Sequence, residues 1–165
     1  MCIRDRLKYI LRKPVIIRAK HNTKEGDTMK IVIIDGQGGK MGKSVIEQLK
    51  KRFPDLETYA IGTNSIATSA MLKAGATYGA TGENPVIVNS HDANIIIGPI
   101  GIVMANSLLG EITPAMATAI GSSSAYKILI PVNRCNHYIV GCQNSTLSDY
   151  INMVCDEVGK EVNSK

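Results

Sequence analysis

Apolar residues alternate along this chain between short unbroken runs and longer stretches with apolar positions every third or fourth residue. Ile31 to Ile34 are four consecutive β-branched residues with no polar alternation, the pattern of a strand covered on both faces. Met41, Val45, Ile46, Leu49 and Phe53 then fall on one helical face, and Pro54 ends that helix. Glu57 to Ile61 is a second strand, broken at Gly62, and Ile66, Ala70, Met71 and Ala74 form the inner stripe of a second helix that Gly75 terminates. A weak third strand covers Ala76 to Tyr78. Asn84 and Pro85 follow as cap and first residue of a short helix, although Val86 to Val88 is β-branched enough to be extended instead. Asn94 to Ile97 is a fourth strand, closed by Gly98-Pro-Ile-Gly101 and followed by an apolar helical stretch. Thr113-Pro114 starts a helix over Ala115 to Ser122, Lys127 to Val132 is a fifth strand, and Tyr138 to Val140 a short sixth. Leu147, Ile151, Val154, Cys155, Val158 and Val162 line the last helix, with Thr146 and Asp149 spaced as a capping box.

Strand and helix in steady alternation predict an α/β fold of three layers, a doubly wound and mostly parallel sheet. Nearly every strand is followed by glycine or an amide (Gly36, Gly62, Gly79, Gly98, Asn133), so the small-residue edge of the sheet is the expected ligand edge. The first of these turns is the most informative. Gly36, Gly38 and Gly42 form G-x-G-x-x-x-G directly after a buried strand and before an amphipathic helix, where backbone amides can approach a phosphate. The expected binding set is Gly36, Gln37, Gly38, Gly39, Lys40, Met41 and Gly42, with Thr63 and Asn64 at the ribose. The competing reading is a purely structural turn.

Two features bear on the cofactor. The second strand ends in Gly62-Thr-Asn-Ser65 with no acid for an adenosine ribose; Thr63, Asn64 or Ser65, helped by Lys40 or Lys43, would instead suit a 2′-phosphate, which favours NADP over NAD. Asp35 stands against any phosphate: a carboxylate ~5 Å from a diphosphate costs about 3 kcal/mol at an effective dielectric of ~20. Either Lys40 offsets it, or it holds a sugar hydroxyl or a metal-bound phosphate, or it caps the amides of its own turn.

The net charge of +5 changes meaning once located. Residues 1–28 hold eight Lys or Arg against three acids, and the remaining residues hold eleven of each sign. A neutral body without Trp and with Phe53 as its only Phe argues against a nucleic-acid binder. Residues 1–28 lack the α/β rhythm, open with Met-Cys-Ile-Arg-Asp-Arg like translated adapter sequence, and precede an internal Met29. We expect 1–28 to be a basic leader, disordered or an artefact of gene prediction, and 29–165 to be one domain. A short basic arm for an anionic surface is the competing reading. Ala93 to Gly110, the longest uncharged run, contains Gly98-Pro99 and Asn106 and falls short of the ~20 apolar residues of a membrane helix. Cys2, Cys135, Cys142 and Cys155 form no C-x-x-C, the usage of reduced thiols in a cytoplasm.

For chemistry, the candidates are Glu83, Glu111, Arg134 and Cys135. Arg134, in Asn133-Arg-Cys-Asn136 after the fifth strand, suits a phosphate or carboxylate clamp, or is a solvated loop arginine. Cys135 is a nucleophile if Arg134 or His137 lowers its pKa, and otherwise an inert buried thiol. Glu83 and Glu111 each follow a glycine near the expected edge, as base or ribose ligand, or as carboxylates favoured at helix starts. Cys135, His137 and Cys142 lack metal spacing, and no metal is expected.

Taken together, Ile34-Asp-Gly-Gln-Gly-Gly39, Gly62-Thr-Asn-Ser-Ile-Ala-Thr-Ser-Ala-Met-Leu-Lys-Ala-Gly-Ala76, Thr81-Gly-Glu-Asn84, Ile97-Gly-Pro-Ile-Gly101, Gly110-Glu-Ile-Thr-Pro114 and Asn133-Arg-Cys135 resemble a short bacterial family, domain of unknown function 3842. The resemblance runs from Met29 to about Val162 and brings no activity with it. The first strand–turn–helix unit also resembles those of Rossmann-type NADP-linked reductases. The leading expectation is thus a Rossmann-like nucleotide binder, with an NADP-linked reductase as its enzymatic form, whose substrate would sit between subunits of a homo-oligomer. Its alternative is a non-catalytic sensor of a phosphorylated metabolite, and a third is a structural subunit with an empty turn.

Overall fold

The computed structural model describes residues 29–131, 138–142 and 145–164. The leader 1–28 and the motif containing Arg134 and Cys135 lie outside the described residues. In chain order the elements are β1 (Ile31–Asp35), α1 (Lys40–Arg52), β2 (Thr58–Gly62), α2 (Ser65–Lys73), β3 (Tyr78–Thr81), α3 (Glu83–His91), β4 (Ile95–Pro99), α4 (Pro114–Ser122), β5 (Tyr126–Ile130) and α5 (Leu147–Asn163). The five strands make one parallel sheet in the order β3-β2-β1-β4-β5. The chain winds outward from β1 in one direction, then crosses to β4 and winds in the other, so β1 and β4 flank the point where strand order reverses.

The unbroken apolar run of β1 follows from this central position. Ile31 and Ile33 pack with Val45, Ile46 and Leu49 of α1, Met71 of α2 and Ile151, Val154, Cys155 and Val158 of α5. Val32 and Ile34 point the other way, into Val86 of α3, Ile96 of β4, and Met116 and Ile120 of α4. Successive side chains serve opposite cores, which gives a helix–sheet–helix sandwich. Both predicted caps form: Thr113 accepts from the Met116 amide and Thr146 from the Asp149 amide. Among the described residues no helix is long and apolar enough to cross a membrane.

Several boundaries depart from the sequence expectations. The third strand begins at Tyr78, because Gly75 (φ +103°) and the Ala76 amide, which donates to the Met71 carbonyl, are still closing α2. Consequently Gly79 lies inside β3. Helix α3 begins at Glu83 behind Gly82 (φ +105°), not at Pro85, and Val86 to Val88 is helical. Strand β4 continues through Gly98 and Pro99, paired with Leu129 and Ile130. A side chain at Gly98 would run into the Ile34 carbonyl, so this glycine lets β1 and β4 lie together and does not break the strand.

The stripe of α2 is rotated. Ile66 is 69% exposed, whereas Ala67, Thr68 and Met71 are buried. No continuous helix follows β4; the chain makes two 3₁₀ turns, Ile100–Val103 and Leu108–Gly110, separated by left-handed Asn106. Tyr138 and Val140 are exposed and belong to no strand.

Candidate functional site

The ends of the inner strands are level. Asp35 is in register with Gly62, and Gly62 with Thr81, so the turns after β1, β2 and β3 open on one edge, with the crossover from β4 beside them. At the end of β1 the buried Asp35 turns its carboxylate onto the start of α1. One oxygen accepts from the Gly36 amide at 2.8 Å and the other from the Gly42 amide at 2.7 Å. Of the readings open for Asp35, capping its own turn is the one observed. Burial pushes its carboxyl above the ordinary range, against the amides of Gly42, Gly36 and Met41 that pull it down; the charge of Glu111 adds a further upward push.

Four of the residues singled out in the sequence meet at the mouth of this turn. Glu111 reaches from the crossover segment and accepts, all on Oε2, from the Gln37 amide at 2.8 Å, the Asn64 side-chain amide at 3.1 Å and the Thr63 hydroxyl. These three donors outweigh the cost of its burial and hold the Glu111 carboxyl below its usual range. Asn64 does more: its Oδ1 caps α2 by accepting from Ala67, and its amide also donates to the Gln37 carbonyl at 3.0 Å. The turns after β1 and β2 are therefore locked to each other through one asparagine and one glutamate.

The glycines divide by what stands over them. A Cβ at Gly36 would lie 2.7 Å from Glu111 Oε2, and one at Gly39 (φ +65°) 2.6 Å from the Ala67 backbone. At Gly42 it would strike the Met71 side chain and approach Asp35. Those three glycines make room for the protein itself. Gly38 differs, since only the Lys40 side chain comes near its absent Cβ, at 4.0 Å. Gln37 (φ +49°), Gly38 and Lys40 are exposed, Met41 is half-buried, and Lys43 forms a surface pair with Glu47.

Glu83 is not part of this cluster. Its carboxylate accepts from the Thr113 hydroxyl, tying the start of α3 to the start of α4. Arg134 and Cys135 lie outside the described residues. Among the described residues no group of acids, histidines and cysteines is arranged to hold a metal. Sequence reasoning missed Ser107 and Leu108: the Ser107 hydroxyl donates to the Gly101 carbonyl, and a Leu108 methyl lies 3.1 Å from where a Gly36 Cβ would be. Nothing in the local sequence signals either contact, nor the left-handed backbone at Leu108 (φ +54°) beside them.

A family model described as a domain of unknown function, DUF3842, matches residues 30–163. No curated protein matches the chain. Among solved structures, a dodecameric FMN-dependent UbiX-like decarboxylase from Escherichia coli O157:H7 is similar at 16% identity and TM-score 0.42, over 79% of this chain and 77% of that one. A universal stress protein from Archaeoglobus fulgidus is similar at 16% identity and TM-score 0.33, over 64% of this chain and 98% of that one.

Proposed function

We propose that the chain, which belongs to the family described as domain of unknown function DUF3842, binds a nucleotide or other phosphate-bearing small molecule at the carboxyl edge of its sheet, NADP before NAD. The observation that carries this reading is Gly38: of the four glycines in the turn it is the one whose missing side chain leaves open space and not room for another part of the protein. A ligand approaches there, beside the exposed Lys40 and next to the reversal of strand order. The end of β2 supports the 2′-phosphate form. Past Thr63 and Asn64, an open groove of about 580 Å³ between α1 and α2 is lined by Lys43, Ser65, Ile66, Ser69, Ala70 and Lys73, with two cations and no acid.

A binding role without chemistry, as in a metabolite sensor, has a specific observation in its favour. Glu83 and Glu111, the two acids proposed as bases, are both engaged in contacts that hold elements together. The reductase reading then rests on Arg134 and Cys135.

A thermal-shift screen of the full chain against NADP, NAD, free nucleotides and sugar phosphates tests the proposal. Ligand at ~100 times its Kd adds about 2.7 kcal/mol of stability. NADP is expected to raise the unfolding temperature of the wild type but not of Gly38→Val, whose Cβ enters the opening with only the Lys40 side chain near it, at 4.0 Å. Silence across the whole panel would overturn the reading.

A further inference from the structure

The seat of the Glu111 carboxylate is built from three donors, and all three belong to residues expected to face a ligand: Gln37, Thr63 and Asn64. Charge-assisted donors converging on one oxygen are what an anionic ligand group would itself require. The segment that delivers Glu111 is anchored at its neck. The Asn106 amide donates to the Ile112 carbonyl at 2.7 Å, the Ile112 amide to the Ser107 carbonyl at 3.3 Å, and Ile102 and Ile112 on either side are fully buried.

Beyond that neck the tip, residues 108–111, is held differently. Leu108 and Leu109 are both left-handed (φ +54° and +59°), a conformation that costs a branched side chain energy and persists only under restraint. Leu109 is 96% exposed. Among the described residues, the Gly110 amide donates to the adjoining Ser107 carbonyl at 3.1 Å, and the hydrogen bonds from the tip to the neighbouring turns run through the Glu111 carboxylate. The tip's apolar contact is through Leu108, half-buried over Gly36 and Gly101 and packed against the core that holds Val32, Ile34, Ile102 and Ile112. Outward movement of the tip therefore gives up one half-buried leucine at the margin of the core and leaves the fully buried Ile102 and Ile112 in place, and its polar restraint is the same set of donors that a ligand would use.

We propose that Glu111 is an internal competitor: its carboxylate occupies the anion seat of Gln37, Thr63 and Asn64, and an incoming phosphate or carboxylate displaces it and swings the 108–111 tip outward. This rests on the binding reading above and adds its regulation. Affinity is set by how tightly the tip holds its own seat, because the apparent Kd is the intrinsic value divided by the fraction of molecules in which the seat is open.

The full chain and its Glu111→Ala variant are titrated with inorganic phosphate and with NADP, and amide hydrogen exchange is followed in both without ligand. Removing the competitor should tighten binding of at least one probe by about tenfold or more. It should also speed exchange at Gln37 and lower the ligand-free unfolding temperature. Loss of stability together with gain of affinity separates a displaceable occupant from a structural strut, whose removal lowers both. Should Glu111→Ala fail to fold, Glu111→Gln keeps the reach without the charge and should shift both quantities the same way by less. If the wild type binds a probe and neither variant binds it more tightly, the competitor is overturned while the site stands. If no probe binds any chain, the site is overturned and the competitor with it.

Discussion

Asp35 and Glu111 share one turn and bend the pH dependence of stability in opposite directions. The folded protein holds Glu111 below its ordinary 4.5, so near that value the unfolded chain binds more protons. Its contribution is complete above 4.5 and is lost as pH falls through the lower, folded value. For Asp35 the folded value lies above the ordinary 3.8, so the folded chain binds more protons just above 3.8, and stability falls as pH rises through that window. In urea unfolding followed across the acid range, Glu111→Gln should therefore flatten the loss of stability below pH 4.5. A variant with the wild-type slope would mean that the three donors do not favour the charged form. That Asp35 caps its own turn was one of the readings available from its position before Gly36. Its partner in the turn was not legible, since Gln37 and Glu111 are 74 residues apart and meet through a left-handed tip with no sequence signature.

At the scale of elements, what the sequence discloses is what local chemistry decides. Thr146 with Asp149 and Thr113 with Pro114 mark helix starts because a cap needs only its own next three residues. The inner face of α2 is set instead by neighbours. Gly39 lets the start of α1 approach the Ala67 backbone, and Gly42 admits the Met71 side chain, so the helix is rotated toward Ala67 and Met71 and Ile66 is left outside. Because an isoleucine looks like core wherever it stands, apolar periodicity placed it wrongly. Stability should distinguish the two positions clearly in urea denaturation. Met71→Ala, in full burial, should cost about 2–5 kcal/mol, and Ile66→Ser no more than about 0.5 kcal/mol. Equal costs would restore the stripe expected from spacing alone. The helix expected after β4 failed for a related reason: Ile102 and Ile112 are fully buried while Val103 and Leu108 only partly reach the same core, too little to fix a continuous apolar face, and the segment closes on itself through Ser107 and Gly101.

Over the whole molecule, the sheet is two parallel halves joined at β1 and β4, and the seam is pinned at the edge opposite the candidate site. Asn94 accepts from the Lys30 amide through Oδ1 at 2.7 Å, donates its own amide to the Lys30 carbonyl at 2.9 Å, and accepts from the Tyr126 amide at 2.9 Å. One residue thus joins the starts of β1, β4 and β5. Asp35 lies five residue steps along β1 from Lys30 at this pin, roughly 16 Å at the rise of a parallel strand. Groups that far apart with no shared partner contribute independently. Asn94→Ala strips the Lys30 amide of its acceptor and should cost about 1–3 kcal/mol. Because the pin spans both halves, the loss should appear as a lower urea midpoint of a single transition with unchanged slope, not as one half melting first. Under the proposed binding of NADP, the stability that the ligand adds should be the same in Asn94→Ala as in the wild type, since a ligand's contribution depends only on its concentration and affinity. A smaller increment in the variant would mean that the sheet transmits strain from one edge to the other, and that the turn after β1 is shaped by the seam as well as by Asp35 and Glu111.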